Sequence, residues 1–287
     1  MARFEGGAFV RVPRGRRIDA PLTLVHHAGA SGTIGCTRTL LLVEEGAEAS
    51  LVEEFDSPSP GNGLLNAVTE IVLEPGARLV HTTVNTLGGR VRAGVVQRAR
   101  LEAGASLTSV SVSLGAEIFK LEASAELAGP GAHSEVLGAV FGTGRQHLDD
   151  HFFQDHVAPR TRSDLLVRVA LMDRARASYT GRLRIAVDAP GSEARQENRN
   201  LLLSEAARAD SIPELEILTH EVQCSHAAAT GPVDPAQLFF LQSRGIGAAE
   251  AERIIVMGFL EPVFARIPGD AFAAAVRALA VGRLGGG

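Results

Sequence analysis

Residues 101–112 read LEAGASLTSVSV, and the same plan returns three more times in the first half of the chain. Each copy starts with an apolar residue, passes through a glycine turn and continues as an alternating apolar strand. The other copies are VEEGAEASLVEE (43–54), LEPGARLVHTTV (73–84) and LAGPGAHSEVLGAV (127–140). Their marker glycines, Gly46, Gly76, Gly104 and Gly131, are spaced 30, 28 and 27 residues apart. A repeat of this length is typical of stacked units that share one continuous core.

The repeated unit is predicted to be β-structure. Apolar and hydroxyl residues alternate with a period near two from Leu107 to Leu114, and the glycines supply turns with positive φ. Two strands of ordinary length plus two turns fill one repeat, which favours a right-handed parallel β-helix with about two strands per coil. The alternative is a β-propeller, whose blades usually need roughly 40 residues for four strands. The strand pattern continues through 165–171, 177–187 and 200–205.

The C-terminal part of the chain is predicted to be helical. Asp234 can cap a helix that starts with Pro235 and stops at Gly245. A second helix is expected at about 248–260, ending before Pro262, and a third opens at Asp270. We therefore expect a mainly β core at residues 1–231 and a helical segment at residues 232–287. The apolar residues of the first two helices exceed one buried stripe, so they either pack on the β core or dock a partner.

Composition excludes several classes of protein. The 287 residues carry a net charge of −5, so no basic field for nucleic acid exists overall. Lys120 is the only lysine, and without a Gly-Lys-Ser/Thr sequence the chain has no P-loop. Two cysteines, Cys36 and Cys224, are too few for a disulfide scaffold. No signal-peptide core or membrane span is evident, which favours a cytoplasmic protein without nucleic-acid or membrane partners.

The junction between sheet and helix carries the first candidate site. Cys224 and His226 are two residues apart, so on a strand they project from the same face. Thiolate and imidazole are ligands suited to iron, zinc or copper(I). Two ligands alone rarely hold a metal, so the pair would share it with another chain. The alternative is a buried apolar cysteine beside a hydrogen-bonded turn histidine.

A second candidate lies in QHLDDHFFQDH (146–156). On a strand His147, Asp149 and His151 would line one face, as a two-histidine, one-carboxylate iron site requires. The alternative is a polar outer face.

A third candidate follows from the β-helix itself, because such folds often host polysaccharide lyases and hydrolases. Asp149, Asp150, Asp155 and Arg160 could supply the carboxylates and the basic group, although the scarcity of aromatic residues counts against a sugar groove.

Taken together, the motifs resemble the SufB/SufD family of iron–sulfur cluster assembly proteins. The stretch PELEILTHEVQCSHAAATGPVDPAQLFFLQSRGI (213–246) is similar to the family's C-terminal signature, and 163–217 follows its approach to that signature. CTRTLLLVEEGAEASLVEE (36–54) resembles an early coil. The resemblance covers roughly 36–260 and is most specific over 155–260. Members usually carry a helical segment ahead of the β core, whereas coil-like sequence begins here within the first residues.

The resemblance is closer to SufD than to SufB. SufB-type chains carry a cysteine on the strand before the signature, and the stretch NLLLSEAARADS (200–211) has none. They also place a glutamate after the histidine, where Ala227 stands here. A SufD-like chain would be a non-catalytic scaffold that pairs with a SufB-like subunit through its β core. It would bind a SufC-like ABC ATPase through the C-terminal helices, and a homodimeric relative remains the other possibility.

The resemblance also implies which residues matter. His226 matches the SufD histidine at the subunit interface near which the cluster forms, and it is the tentative metal ligand. Cys224 matches a neighbouring position, whereas Asp155 and His156 match a position that we interpret as structural. No cofactor is expected to be held tightly by the chain alone, but a transient Fe–S cluster or iron can sit at the interface. The ATPase-docking candidates are Leu238, Phe239, Phe240, Arg244, Ile254 and Phe259.

Overall fold

The computed structural model of the chain describes residues 4–28, 32–57 and 62–284. Within these ranges the chain forms sixteen strands followed by three helices. The strands are β1 (Gly6–Val12), β2 (Leu22–His27), β3 (Thr33–Val43), β4 (Glu48–Asp56), β5 (Asn62–Leu73), β6 (Arg78–Asn85), β7 (Arg90–Leu101), β8 (Ser106–Ser113), β9 (Ile118–Leu127), β10 (His133–Gly142), β11 (His147–His156), β12 (Arg162–Leu171), β13 (Arg176–Ile185), β14 (Ser192–Leu202), β15 (Arg208–Ile217) and β16 (Val222–Pro232). The helices are α1 (Pro235–Gln242), α2 (Ala248–Phe264) and α3 (Asp270–Leu284).

The strands stack as a parallel β-solenoid with two strands per coil. The odd-numbered strands form one eight-stranded sheet, sheet A, and the even-numbered strands form the other, sheet B. Every neighbouring pair is parallel, and each strand pairs with the strand two positions further along the chain. The β-helix prediction, including two strands per coil, is therefore confirmed.

Glycines place the turns between the two sheets in one stacked row. Gly46, Gly76, Gly104 and Gly131 all have positive φ, between 65° and 73°. Each of these amides donates to a carbonyl of the turn in the next coil, as Gly76 does to Ala103 at 2.8 Å. The turns therefore continue the hydrogen-bond ladder of the sheets, and the repeat glycines occupy the one turn position where a side chain would strain the backbone.

Alternating side chains from both sheets fill the interior. On sheet A, Val43, Leu73, Leu101 and Leu127 stand in register in successive coils, and each is fully buried. Burial of one such side chain contributes roughly 1.5–3 kcal/mol. Because the same column is repeated in each coil, the core is continuous along the solenoid and no single coil could bury it alone.

Helices α2 and α3 cover part of the outer face of sheet B. Their buried side chains, including Val256, Leu260 and Val276, pack in one cluster with Val110 and Phe141 of the sheet. Packing on the β core, one of the two possibilities left open by the sequence, therefore holds for α2, together with α3, whereas α1 has no buried residue.

The helix boundaries follow the sequence signals with one exception. Asp234 Oδ1 accepts a hydrogen bond from the amide of Ala236 at 2.9 Å, and Gly245 has φ +85° after α1. Helix α2, however, continues through Pro262 to Phe264, so the predicted end near residue 260 was wrong. Pro262 lacks the amide that would bond to the Gly258 carbonyl, and its ring crowds that carbonyl. The burial of Val263 and Phe264 offsets this cost and stabilises the extra turn.

Candidate functional site

The C-terminal end of the solenoid is open. Strands β15 and β16 are the last strands of sheets A and B, and no strand of the described ranges pairs with their outer edges. Leu215 and Ile217 lie in register with Leu183 and Ile185, which are fully buried. In the last coil, however, Leu215 and Ile217 are 37% and 42% exposed. This end therefore presents inner-face side chains together with backbone groups that have no strand partner.

Cys224 and His226 lie on the inner face of β16 at this open end. Their register partners on β14 are Ala194 and Gln196, both buried inside the solenoid, so the predicted shared face of the two side chains is confirmed. Cys224 is half-buried and packs with Leu183 and Ala194. Burial raises the pKa of the Cys224 thiol, and a backbone hydrogen bond from Ala194 opposes that shift. His226 is exposed.

This pair supplies one sulfur and one nitrogen donor at the edge of a sheet. The described residues contain no group of three or more His, Cys, Asp or Glu side chains placed to hold a metal ion. Metal binding at Cys224 and His226 would therefore require ligands from another molecule. Because the last strand has a free edge, a second chain can approach both side chains directly.

A concave surface of about 370 Å³ adjoins His226 on the outside of sheet B. It is lined by Asp164, Arg195, Glu197 and Ser225 among others. The Glu197 carboxylate forms ion pairs with Arg168 at 2.8 Å and with Arg199 at 2.7 Å. Its charge is thus offset within the chain, while Arg195 makes no ion pair with any residue that the structure describes. Arg195, on the outer face of β14, is consequently an uncompensated cation on this concave surface.

The cluster at 147–151 does not form a metal site. His147, Asp149 and His151 do share the outer face of β11, as their alternation predicts. His151 Nε2, however, lies 2.9 Å from Asp149 Oδ1, and Lys120 Nζ lies 3.7 Å from Asp149 Oδ2. The carboxylate is already paired with neighbours on two strands. The arrangement matches the alternative interpretation, a polar outer face.

The acidic residues proposed for a sugar-cleaving site are separated by the sheet. Asp149 and Asp155 lie on the outer face of β11, where Asp155 pairs with Arg184 at 2.9 Å. Asp150 points into the interior and is 2% exposed. Arg160 sits in a turn with φ +55°. A substrate in one groove could not contact all four residues, so the geometry counts against this set as one catalytic centre.

The six docking candidates differ in exposure. Phe239 and Phe240 of α1 are 72% and 54% exposed. Arg244 lies over the Phe240 ring, 3.5 Å from its centroid, and Ile254 of α2 is exposed. Leu238 is partly buried. Phe259 is also partly buried, packs against the sheet B cluster and has Arg168 5.7 Å from its ring centroid. The accessible part of this surface is therefore centred on α1.

Sequence inspection overlooked the polar residues inside the last coils. Gln196, which is in register with His226, is 3% exposed and donates from Nε2 to the Gly181 carbonyl at 3.1 Å. Asn198 and Asn200 follow on the same inner face. The signal was the alternation in QENRNLL (196–202), where the amides fall on the positions that are apolar in other strands. Strand periodicity could have identified these residues as an unusual polar interior.

A second interior cluster lies near the other end of the solenoid. Glu53 accepts from His26 Nε2 at 2.9 Å, His81 Nε2 at 2.7 Å and the Thr69 hydroxyl at 2.8 Å. Burial acts to raise the pKa of Glu53, but the hydrogen bonds from His26 and His81 outweigh it and hold that pKa below its ordinary value. The carboxylate is satisfied by its neighbours, so the cluster is a paired polar core.

Cys36, whose role the sequence left undecided, is a partly exposed free thiol on β3. Its strand neighbours Gly35 and Thr37 lie in register with Leu65 and Ala67, while Cys36 itself is paired with Asn66. The two cysteines of the chain thus occupy different sheets.

Among the described helices, none has both the length and the apolar character that a membrane crossing requires.

Comparison with known proteins identifies relatives along almost the whole chain. Residues 26–259 match the family model for the SufBD core domain of SUF-system Fe–S cluster assembly. A SufBD family protein of Mycobacterium tuberculosis is 32% identical over 275 residues, which cover 93% of this chain and 68% of the relative. The SufB protein of Bacillus subtilis is 30% identical over 268 residues, which cover 93% of this chain and 58% of the relative. These matches show the SufBD family and do not distinguish a SufB-like from a SufD-like chain.

Proposed function

Because this chain belongs to the SufBD family of iron–sulfur cluster assembly proteins, we propose that it acts as a SufD-like scaffold subunit in cluster assembly. It pairs with a SufB-like subunit through the open end of the solenoid and binds a SufC-like ABC ATPase through its C-terminal helices. Iron and sulfide are cargo held transiently at the subunit interface, and ATP hydrolysis belongs to the partner. The chain itself is a non-catalytic cytoplasmic scaffold.

The observation that carries the proposal is the position of Cys224 and His226 on the last strand of sheet B, whose outer edge has no strand partner among the described residues. Strand β16 has no proline before Pro232, so its backbone groups remain available to a further strand, whereas β15 contains Pro213. A partner that extends sheet B would cover both donor side chains and complete the ligand set that this chain lacks. Sulfur and nitrogen donors suit iron.

Two sequence features favour the SufD-like role. Ala227 stands next to His226 where a SufB-type chain has a glutamate, and β14 and β15 carry no cysteine. The only thiol on the last strand is therefore Cys224, whose pKa is raised by burial. Since the thiolate is the metal-binding form, burial lowers the fraction of Cys224 that is ready to bind a metal, and the match of His226 to the SufD histidine makes it the principal candidate ligand from this chain.

The test of the site is cluster yield in the reconstituted complex carrying His226→Ala. We expect iron and sulfide per complex to fall at least threefold. The matched control is His220→Ala, because His220 is an exposed histidine in the turn just before β16 and should leave the yield unchanged. Equal yields from His226→Ala and the unsubstituted complex would remove His226 from the site.

The test of ATPase docking uses the double variant Phe239→Ser, Phe240→Ser. Both rings are exposed, so their loss removes apolar contact area from the partner without opening the core. We expect the affinity for the ATPase to fall at least tenfold. Phe9→Ser is the control, because Phe9 is also exposed but lies on β1 at the far end of the chain. Unchanged binding by the double variant would exclude α1 as the docking surface.

A homodimeric role rests on the same open end, since a second copy of the chain could extend β16. The mass of the purified chain alone and mixed with a SufB-like subunit separates the two cases. A heterodimer that forms at the expense of any homodimer supports the SufD-like assignment. A stable homodimer that ignores the SufB-like subunit would instead assign the chain as a self-pairing relative.

A further inference from the structure

Basic side chains stand next to each other where the last strands of sheet A begin. His147 is the first residue of β11, Arg176 of β13 and Arg208 of β15, and the three are in register on adjacent strands. All three are exposed on the outer face of the sheet. Adjacent strands lie about 4.8 Å apart, so these side chains start from neighbouring points along one line.

The turns that lead into β11 and β13 add two more arginines. Gly144 and Asp173 have φ of +61° and +54°, so the two turns share one conformation. The amide of Arg174 donates to the Gly144 carbonyl at 2.9 Å, which stacks the second turn on the first. Arg145 and Arg174 directly follow the two positive-φ residues and are exposed. The basic edge consists of these exposed arginines of turns and strands, Arg145, Arg174, Arg176 and Arg208.

The charges of the basic edge are not balanced by carboxylates of the chain. None of its arginines forms an ion pair with a residue that the structure describes. Arg208 directs Nη1 to the carbonyls of Glu205 and Ala207, the latter at 2.8 Å, and not to Asp210 two residues further on. Asp173 Oδ2 accepts a hydrogen bond from the Gly144 amide at 2.7 Å. The carboxylates near the edge thus leave its guanidinium groups without an ionic partner.

Elsewhere on the same strand, the sheet pairs its charges. Arg184 of β13 faces Asp155 on one side and Glu216 on the other, with ion pairs of 2.9 Å and 3.6 Å. Arg176 of β13 instead faces Arg208 on one side and an imidazole on the other. Like charges directly opposite each other destabilise a sheet. The basic edge therefore carries a repulsion that an external anion would remove.

The size and chemistry of the basic edge fit an acidic segment of a protein. Arginine binds a carboxylate through two parallel hydrogen bonds. The edge is three strands wide, or about 10 Å, which a few residues of an extended segment cover. On its N-terminal side Glu117 already pairs with Arg92 at 3.2 Å, so the uncompensated charge ends there. Nucleic acids and anionic membranes attract larger basic fields, and this chain has a net charge of −5.

We propose that the basic edge is a docking surface for an acidic segment of a partner protein, whose aspartate and glutamate side chains pair with the four arginines. Arg208 lies on β15, the last strand of sheet A, so the surface reaches the open end of the solenoid. A partner at that end can lay such a segment along the edge. The surface follows from the charges of this chain and does not rest on its role in cluster assembly.

The test is the affinity of the full-length chain for a fluorescein-labelled synthetic peptide of alternating aspartate and glutamate, measured by fluorescence anisotropy at low ionic strength. We expect the double variant Arg176→Gln, Arg208→Gln to bind it at least about fivefold more weakly. The matched control is Arg16→Gln, Arg182→Gln. Arg16 is exposed in the turn after β1, and Arg182 faces Glu214 on the same strand as Arg176. This control loses the same charge and should bind like the unsubstituted chain.

The dissociation constant should rise steeply between about 0.01 M and 1 M salt, because the screening length shortens. Equal affinities of the unsubstituted chain and the Arg176, Arg208 double variant would overturn the proposal. So would equal binding of a peptide in which asparagine and glutamine replace the acidic residues.

Duplex DNA and phosphatidylglycerol vesicles test the class of partner. We expect both to bind the unsubstituted chain more weakly than the acidic peptide does. Tighter binding of either one that is lost in Arg176→Gln, Arg208→Gln would overturn the assignment of the edge to a protein segment.

The repulsion within the edge gives a second measurement that needs no ligand. At low ionic strength, Arg176→Gln should raise the midpoint of thermal unfolding by about 1–2 °C, and about 1 M salt should abolish the gain. Arg184→Gln should instead lower the midpoint, because Arg184 stands between two carboxylates. A midpoint that falls in Arg176→Gln would show that the chain itself compensates Arg176, and would contradict the proposal.

Discussion

At the scale of the residue, the face of the strand decides what each side chain can do. Asp149 and Asp150 are neighbours in sequence, yet Asp149 is paired with Lys120 and His151 outside the sheet, while Asp150 is enclosed inside it. The same alternation places Cys224 and His226 inside and Ser225 outside. Chemical identity alone therefore does not define a site in this fold, because each strand divides adjacent residues between two environments.

The Asp150 carboxyl should make the chain less stable as pH rises. Its pKa of about 7 in the folded state lies above the ordinary value of 3.8, so the unfolded chain releases its proton first and stability falls between about pH 4 and pH 7. Asp150→Asn removes this dependence. We expect the free energy of unfolding of the variant, relative to the unsubstituted chain, to rise by up to roughly 3 kcal/mol from pH 5 to pH 8. If the pKa of Asp150 is not raised, urea titrations will give the same difference in free energy of unfolding between the two proteins at both pH values.

His156 should act in the opposite pH direction. Burial lowers its pKa from 6.5 to about 4, against the charge of Asp155, which raises it. The unfolded chain therefore gains a proton first, and the stability contributed by the neutral imidazole is lost as pH falls from 6.5 to about 4. Between pH 7 and pH 4, the free energy of unfolding should fall by up to roughly 3 kcal/mol less in His156→Gln than in the unsubstituted chain. Parallel acid unfolding curves for the two proteins would contradict this expectation.

At the scale of the element, the stacked turns show where the repeat is constrained. Gly76, Gly131 and Gly191 each directly follow a proline in this row of turns, and all three have positive φ. Arg160 follows Pro159 in the same row and adopts φ +55° without being glycine. The ladder of hydrogen bonds imposes this conformation on it, since its amide donates to the Pro190 carbonyl at 2.9 Å.

Exchanging residues in this row should change stability in opposite directions. At Gly104, φ is +66° and a Cβ would meet no atom within 4 Å, so Gly104→Ala introduces backbone strain alone. We expect it to destabilise the chain by about 1 kcal/mol. Arg160→Gly should stabilise the chain by about 0.5 kcal/mol, because relief of strain exceeds the added entropy of the unfolded chain. Thermal unfolding of both variants checks the signs, and a stabilised Gly104→Ala would refute the role of the row.

At the scale of the whole molecule, the solenoid is covered on one outer face and open at its ends. Helices α2 and α3 bury the apolar outer side chains of β8 and β10, such as Val110 and Phe141. The outer face of sheet A instead carries ion pairs between strands, including Arg38 with Glu70 and Arg184 with Asp155. The molecule therefore presents two distinct exposed surfaces, the open C-terminal end and α1.

Helix α2 should contribute more to the stability of the chain than helix α1. Leu260→Ala removes a side chain that is 1% exposed and packs on sheet B, and it should cost about 2–5 kcal/mol of stability. Phe239→Ala removes a larger ring from α1 and should change stability by less than about 0.5 kcal/mol, because that ring is mostly exposed. Equal losses for the two variants in chemical unfolding would show that α1 also packs on the core.

Much of the fold could be predicted because its cause is local. The glycine period sets the coil length, alternation in 107–114 identifies the inner face, and Asp234, Pro235 and Gly245 delimit α1. The end of α2 could not, because the burial of Phe264 against sheet B outweighs the effect of Pro262. That energy comes from residues more than a hundred positions away, such as Phe141, and no local pattern reports it.

The candidate site was predictable only in part for the same reason. The spacing of Cys224 and His226 placed them on one face of a strand, and the family motif singled them out. The sequence could not tell that Arg176 and Arg208 face each other at one edge of sheet A, because that alignment depends on the register between coils. It also could not rank Phe239 above Phe259 as an accessible surface.

By itself, then, the sequence determined a parallel β-solenoid with a helical C-terminal segment and membership of an iron–sulfur assembly family. These follow from period, alternation and motif, which are properties of neighbouring residues. The tertiary structure alone decided which side chains share the interior, which helix stays exposed and where the stack of strands ends. Those outcomes depend on register and packing between residues about 30 or more positions apart, where hydrogen bonds and burial act together and local preference has no part.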